Sequence, residues 1–176
     1  MANHRITASK RALILAALAE GMALNSIVRM FAVVKPSLLR FICETGKACE
    51  DWHNRNFWEL TPTHVELDEC WSYVHTHKER MSRDDKNRNP GRGDCWLWAS
   101  MDPHSKAIVN WTTGKRTATA AQAFCYDLAS RIPGRLQITS DPLNSYAFAV
   151  AGAFGDRVDY AQETKVFQSS KVPAHQ

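Results

Sequence analysis

The stretch "HVELDECWSYV", His64 to Val74, alternates as a half-buried strand does, yet two adjacent acids, Asp68 and Glu69, interrupt it. Successive side chains on a strand point to opposite faces. Leu67, Trp71 and Tyr73 therefore share one face and Glu66, Asp68, Cys70 and Ser72 the other, which puts Asp68 and Glu69 on opposite faces. A mid-strand carboxylate costs on the order of several kcal/mol of desolvation unless a cation or hydrogen bonds compensate it. Something in the fold must compensate these.

Downstream, "HTHKERMSRDDKNRNPGRGD" is polar and basic, and Asn89, Pro90, Gly91 and Gly93 predict irregular structure there. "CWLWASMD" and "AIVNWTTG" read as two strands joined by the turn "DPHSK". "TATAAQAFCYDLASRI" is helical with Pro133 and Gly134 beyond its end, "LQITSD" is a short strand, "PLNSYAFAVAGAFG" is helical up to Gly155, and "RVDYAQ" is a fifth strand. The order predicts an α/β domain: a mixed five-stranded sheet with helices packed on it, its first and fourth strands adjacent in the middle.

Upstream the period is helical. "ASKRALILAALAE" carries Leu13, Ala16 and Ala17 at helical spacing, with Ser9 as cap and Gly21 as stop. A short second helix holds Ile27, Val28 and Phe31, and a third starts at Pro36 and ends at Gly46. Two short helices joined by such a turn fit a helix-turn-helix, whose second member would present Lys35, Ser37 and Arg40 to a DNA groove. An ordinary three-helix packing unit fits the same period, and the turn lacks the glycine such motifs often carry. "KACEDWHNRNFWELTP" reads as a polar helix or linker, so the expected division is 1–60, 61–167 and a polar tail at 168–176.

With 176 residues, 44% hydrophobic content and 23% charged, the chain can bury a proper core. The net charge of +4 permits a polyanionic partner without demanding one. "ALILAALA" is too short to span a bilayer and "MANHRITASK" lacks a secretory core, so no membrane association and a cytoplasmic location are expected. Five cysteines without a C-x-x-C pair support neither a disulfide framework nor a zinc ribbon, and are expected to be reduced and structural.

Asp141 ends the fourth strand and Asp68 sits on the first, so the layout lets the two carboxylates converge. Hard oxygen ligands suit Mg²⁺ or Mn²⁺, and metal pairs so held serve phosphodiester displacement. By spacing alone, two surface acids at strand ends are the favoured reading.

"LDECWSYV", "GDCWLWASMDPHSKAIVNWTTGKRTATAAQAFCYDLASRIPGRLQITSD" and "YAFAVAGAFGDRVDYAQ" together resemble the transposases of the insertion sequence one family, DDE enzymes with a ribonuclease H-like core. The resemblance runs from about Arg5 to about Thr164. It implies that Asp68 and Asp141 match the first two metal-binding, catalytic aspartates, with Mg²⁺ or Mn²⁺ as cofactor. It also implies metal-dependent DNA cleavage and strand transfer, binding of terminal inverted repeats by the N-terminal helix-turn-helix, and a homo-oligomer in the active complex.

The chain departs from the family in two places. The family's third acid, a glutamate, sits on a helix after the fifth strand, whereas "QSSKVPAHQ" resembles no such helix, and Glu163 does not match its position. Pro142 replaces the usual glycine after the second aspartate, which removes an N–H and favours an extended Asp141. The expectation is a C-terminally truncated transposase in which DNA binding survives better than strand transfer. The alternative is a catalytically inactive DNA-binding protein or regulator.

Other candidates have ordinary readings. His75 and His77 could share one side of a strand as metal ligands, but no third ligand is in sight. Lys115 and Arg116 could meet a DNA backbone, as could the basic loop from Lys78 to Arg92, though surface turns explain both. Trp96, Trp98 and Trp111 are expected in the core, and the face of Glu69 predicts a buried hydrogen bond. No Gly-rich phosphate loop occurs.

Overall fold

Three helices come first: α1 (Ala8–Ala19), α2 (Leu24–Met30) and α3 (Lys35–Asn56). They belong to a computed structural model that describes residues 6–89 and 91–164; the tail at 168–176 lies outside the described residues. α1 is capped by Thr7, whose hydroxyl accepts the Lys10 N–H, and not by Ser9 as expected. Its inward stripe is Ile14 and Ala17, while Leu13 is exposed. With Ile27, Leu38 and Phe41 they form the core of this unit.

Two expectations change here. The turn from α2 to α3 has no glycine, so Ala32 itself takes the left-handed conformation at φ 46°. Gly46 does not end α3, which continues to Asn56; an exposed helical glycine costs only about 1 kcal/mol relative to alanine, and ten more residues of polar helix outlast it. The chain accordingly divides after Asn56, not Leu60. Residues from Phe57 onward fasten to the second unit: Leu60 donates its N–H to the Arg131 carbonyl at 2.9 Å, and Arg131 donates to the Phe57 carbonyl and stacks on Trp58.

The second unit is a five-stranded mixed sheet in the order β3-β2-β1-β4-β5, with β1 (His64–Val74), β2 (Gly93–Met101), β3 (Ile108–Gly114), β4 (Leu136–Ser140) and β5 (Val158–Gln162). β1–β2 and β2–β3 are antiparallel; β1–β4 and β4–β5 are parallel. The expected neighbours, first and fourth strands, do adjoin. Helices α5 (Ala118–Arg131) and α6 (Asn144–Phe154) pack Phe124, Leu128, Tyr146 and Val150 against Val65, Leu67, Trp98 and Ile138 of the sheet. Buried Asn110 ties sheet to helix, donating to the Phe124 carbonyl at 3.1 Å and to Asp127 at 2.8 Å.

The segment Lys78–Arg92 is more regular than expected. It holds a 3₁₀ turn (Lys78–Arg80) and a short helix α4 (Arg83–Arg88), which the Ser82 hydroxyl caps by accepting the Asp85 N–H at 3.1 Å. Gly93, at φ +91°, is needed where the segment rejoins β2, because a Cβ there would meet the Met81 sulfur at 3.0 Å. Among the described residues no helix is long and apolar enough to cross a membrane.

Candidate metal centre

β1 outruns β4, and this difference in length builds the site. The parallel register closes with Leu67 opposite Ser140, after which β1 continues to Val74 beside β2 alone. Pro142 offers no N–H to prolong β4. The strand end is pinned instead by the Ser140 hydroxyl, which donates to the Asp141 carbonyl at 2.7 Å and lies 2.8 Å from the Tyr160 hydroxyl. Asp141 thus stands at the edge of β1, where side chains from both faces can reach it. One carboxylate oxygen each from Asp68, Glu69 and Asp141 lie within 4.8 Å of one another. The alternation did separate Asp68 from Glu69, but the vacant edge reunites them.

The three acids have different surroundings. Asp68 is exposed and accepts the Glu69 N–H at 2.7 Å through Oδ1. The Glu69 side chain is only 1% exposed, set opposite Trp98 on β2 and beside Tyr146 of α6. Its Oε2 accepts from Arg116 Nη2 at 3.1 Å, and the same nitrogen is 3.6 Å from Asp141 Oδ2. The Arg116 guanidinium lies 4.7 Å from the centroid of the Trp96 ring. Glu69 Oε1, Asp141 Oδ1 and the Tyr146 hydroxyl are buried without a partner of hydrogen-bonding geometry.

Burial raises the Glu69 pKa above the usual carboxylate range; the negative charge of Asp141 adds to this, and Tyr146 and Arg116 pull it back only in part. Burial and the Glu69 charge likewise push the Tyr146 phenol up, so it keeps its proton. Two buried carboxylate oxygens without partners, converging with a third acid, suit a divalent cation that prefers hard oxygen ligands. A cleft of about 480 Å³ opens beside them, lined by Glu66, Asp68, Asp141 and Glu163 among others, and the Glu163 N–H donates to the Ser140 carbonyl at 2.8 Å.

No model of a known protein family matches the sequence, and no curated protein is significantly similar to it.

Other residues singled out from the sequence fall elsewhere. Lys35 and Arg40 are exposed on the first turns of α3, while Ser37 is half-buried and lines a small hollow of about 160 Å³ with Thr7, Lys10 and Ala32. Lys115 is exposed on the loop, and its ammonium donates to the Arg92 carbonyl at 3.1 Å and the Asp94 carbonyl at 2.8 Å. Arg116 faces the acids, a use that its surface-turn reading missed. His75 lies past the end of β1 at φ 71°, so the two histidines do not share a strand face. Trp98 is fully buried as expected and Trp96 packs partly into the core, but Trp111 is 37% exposed on the sheet face that α5 and α6 leave uncovered. All five cysteines are free; Cys125 alone is buried, so a structural role does not extend to the exposed Cys43, Cys49 and Cys70.

Proposed function

We propose that the chain is a DNA transposase of the insertion sequence one type, whose ribonuclease H-like domain cleaves and transfers DNA strands with Mg²⁺ or Mn²⁺ held by Asp68, Glu69 and Asp141. The observation that carries this reading is the convergence of three carboxylates with two buried oxygens left unpartnered. The strand order, which sets Asp141 at the end of β4 beside Asp68 and Glu69 in the middle of β1, supports it independently of the resemblance. The chemistry such ions supply is activation of a water or 3′-hydroxyl nucleophile and stabilisation of the leaving oxygen in phosphodiester displacement.

The chain's own residues have distinct tasks in this reading. Asp68 and Asp141 are the exposed or half-exposed ligands, open to the cleft and to a scissile phosphate. Glu69 approaches from the opposite face, beside the Tyr146 phenol of α6. Arg116 pairs with Glu69 and Asp141 while its guanidinium lies over the Trp96 ring, and an ion held by the acids would supply positive charge at the same place. Glu163 adds a carboxylate to the same cleft. In the first unit the helix-turn-helix formed by α2 and α3 binds terminal inverted repeats through Lys35 and Arg40, and the active complex is a homo-oligomer.

The second reading, a catalytically inactive DNA-binding regulator, is favoured by one observation: the Arg116 guanidinium already pairs with Glu69 and Asp141. One experiment separates the two. Nicking of inverted-repeat DNA that requires Mg²⁺ and disappears in Asp68→Asn supports the transposase. Specific gel-shift binding by the full chain without any cleavage supports the regulator, and absence of DNA affinity defeats both.

A further inference from the structure

Beyond Glu69 the first strand leaves the shelter of the helices. Val65 and Leu67 are buried under α5 and α6, but Trp71 and Tyr73, on the same strand face, are 45% and 46% exposed. The His77 ring packs against both, 4.2 Å from Tyr73 in a stacked arrangement and 5.0 Å from Trp71, and the Trp71 and Tyr73 rings lie 5.8 Å from each other. Trp71 lies directly opposite Trp96 in the β1–β2 register, and Trp96 opens onto a cavity of about 450 Å³. Around that cavity stand Lys78, Arg92, Lys115 and Arg116 against the single acid Asp94.

An aromatic row open to solvent therefore runs beside a cationic hollow, and both reach the acids through Glu69 and Arg116. A strand rises about 3.3 Å per residue, so Trp71 begins about 7 Å beyond Glu69 and Tyr73 about 13 Å beyond it. Ring faces are useless to a base inside a duplex, whereas unstacked bases take them as stacking surfaces while nearby cations follow the phosphates. Exposed rings serving only the core would be covered; these keep nearly half their surface free.

We infer that Trp71, Tyr73 and His77 form a stacking platform for a single-stranded DNA segment, with its phosphates drawn to the hollow lined by Lys78 and Arg92. The inference deepens the proposed function and rests on it, since it assigns the strand next to the cleavage point an unpaired state on the enzyme. It also explains why β1 carries large aromatic residues past the end of its hydrophobic core.

The test is fluorescence anisotropy of the full chain in EDTA, with a fluorescein-labelled oligothymidylate of about 12 nucleotides and a duplex of equal length as probes. The Trp71→Ala/Tyr73→Ala variant should lose at least tenfold in affinity for the single strand and less than twofold for the duplex. A Trp71→Phe/Tyr73→Phe variant, which keeps both rings, should bind the single strand within about threefold of the parent. Failure of the parent to bind the single strand, an alanine variant within twofold of the parent, or equal losses on both probes would overturn the inference. So would a phenylalanine variant as weak as the alanine one. Because EDTA removes divalent ions, this result and the Mg²⁺-dependent nicking assay can fail independently.

Discussion

Replacing Arg116 by Met removes the positive charge that the acids share while keeping most of the side-chain volume. Arg116 Nη2 donates to Glu69 Oε2 at 3.1 Å, and a hydrogen bond to a charged group is worth about 1.5–3 kcal/mol. The Glu69 side chain is 1% exposed, so its loss leaves a buried carboxylate unbalanced; in fully buried pairs this costs about 3–5 kcal/mol. Arg116, however, is itself 36% exposed and Asp141 39%, so water screens the pair and the Asp141 contact adds only about 0–1 kcal/mol. The stack on Trp96 contributes about 0.5–1 kcal/mol more. Together these give an expected loss of about 2 kcal/mol from the second unit in EDTA at pH 7.5. With a urea m-value of about 1–3 kcal/mol/M, the midpoint should fall by about 1 M. Tryptophan fluorescence reads this unit, because every tryptophan except Trp52 lies after Asn56. Adding Mg²⁺ should stabilise the variant more than the parent, since an ion bound by the acids supplies the charge that methionine cannot. A variant within about 0.5 kcal/mol of the parent in EDTA, or an identical Mg²⁺ increment for both, would refute the electrostatic account.

Three further outcomes are expected. Because the Glu69 pKa is raised in the folded chain, the native state binds more protons than the unfolded one between 4.5 and the raised value, and stability falls as pH rises through that window. The stability gained by Glu69→Gln in EDTA should therefore be near zero below pH 4.5 and grow to a plateau above it, as read by urea melts from pH 4 to 8; a gain that shrinks with pH contradicts this. Ala32→Gly should stabilise the helical unit by about 0.5–1 kcal/mol in thermal circular dichroism, since glycine accepts φ 46° without the Cβ clash; a loss of stability would mean the turn is unstrained. Cys43, Cys49 and Cys70 should react promptly with a thiol reagent in the native protein. Cys125, buried with its pKa pushed up to about 12, should react only on unfolding; prompt labelling of Cys125 would show that α5 opens readily.

Element type and order were legible along the chain wherever a period ran long enough. All five strands, α5 and α6 fall within a residue or two of their sequence readings, and Pro133, Gly134 and Gly155 mark the ends of α5 and α6. Errors gathered where a single residue was asked to decide. Gly46 reads as a stop in isolation, but its cost is smaller than the helical preference around it. The stretch Lys78–Arg92 reads as irregular from its Asn, Pro and Gly, yet Ser82 caps a short helix inside it.

What the sequence determined by itself is the alternation that puts Asp68 and Glu69 on opposite faces of β1, and the placing of Asp141 at a strand end. Both follow from the local geometry of an extended chain, which needs no partner. Which acids meet was a tertiary decision: β4 stops at Ser140 while β1 runs on, so the vacated edge lets Asp68, Glu69 and Asp141 come within 4.8 Å. The arrival of Arg116 from the end of β3, and the exposure of Trp71 and Tyr73 past the reach of α5 and α6, were decided in the same way. Such facts depend on relative strand lengths and on where helices end above a sheet, which no local period encodes.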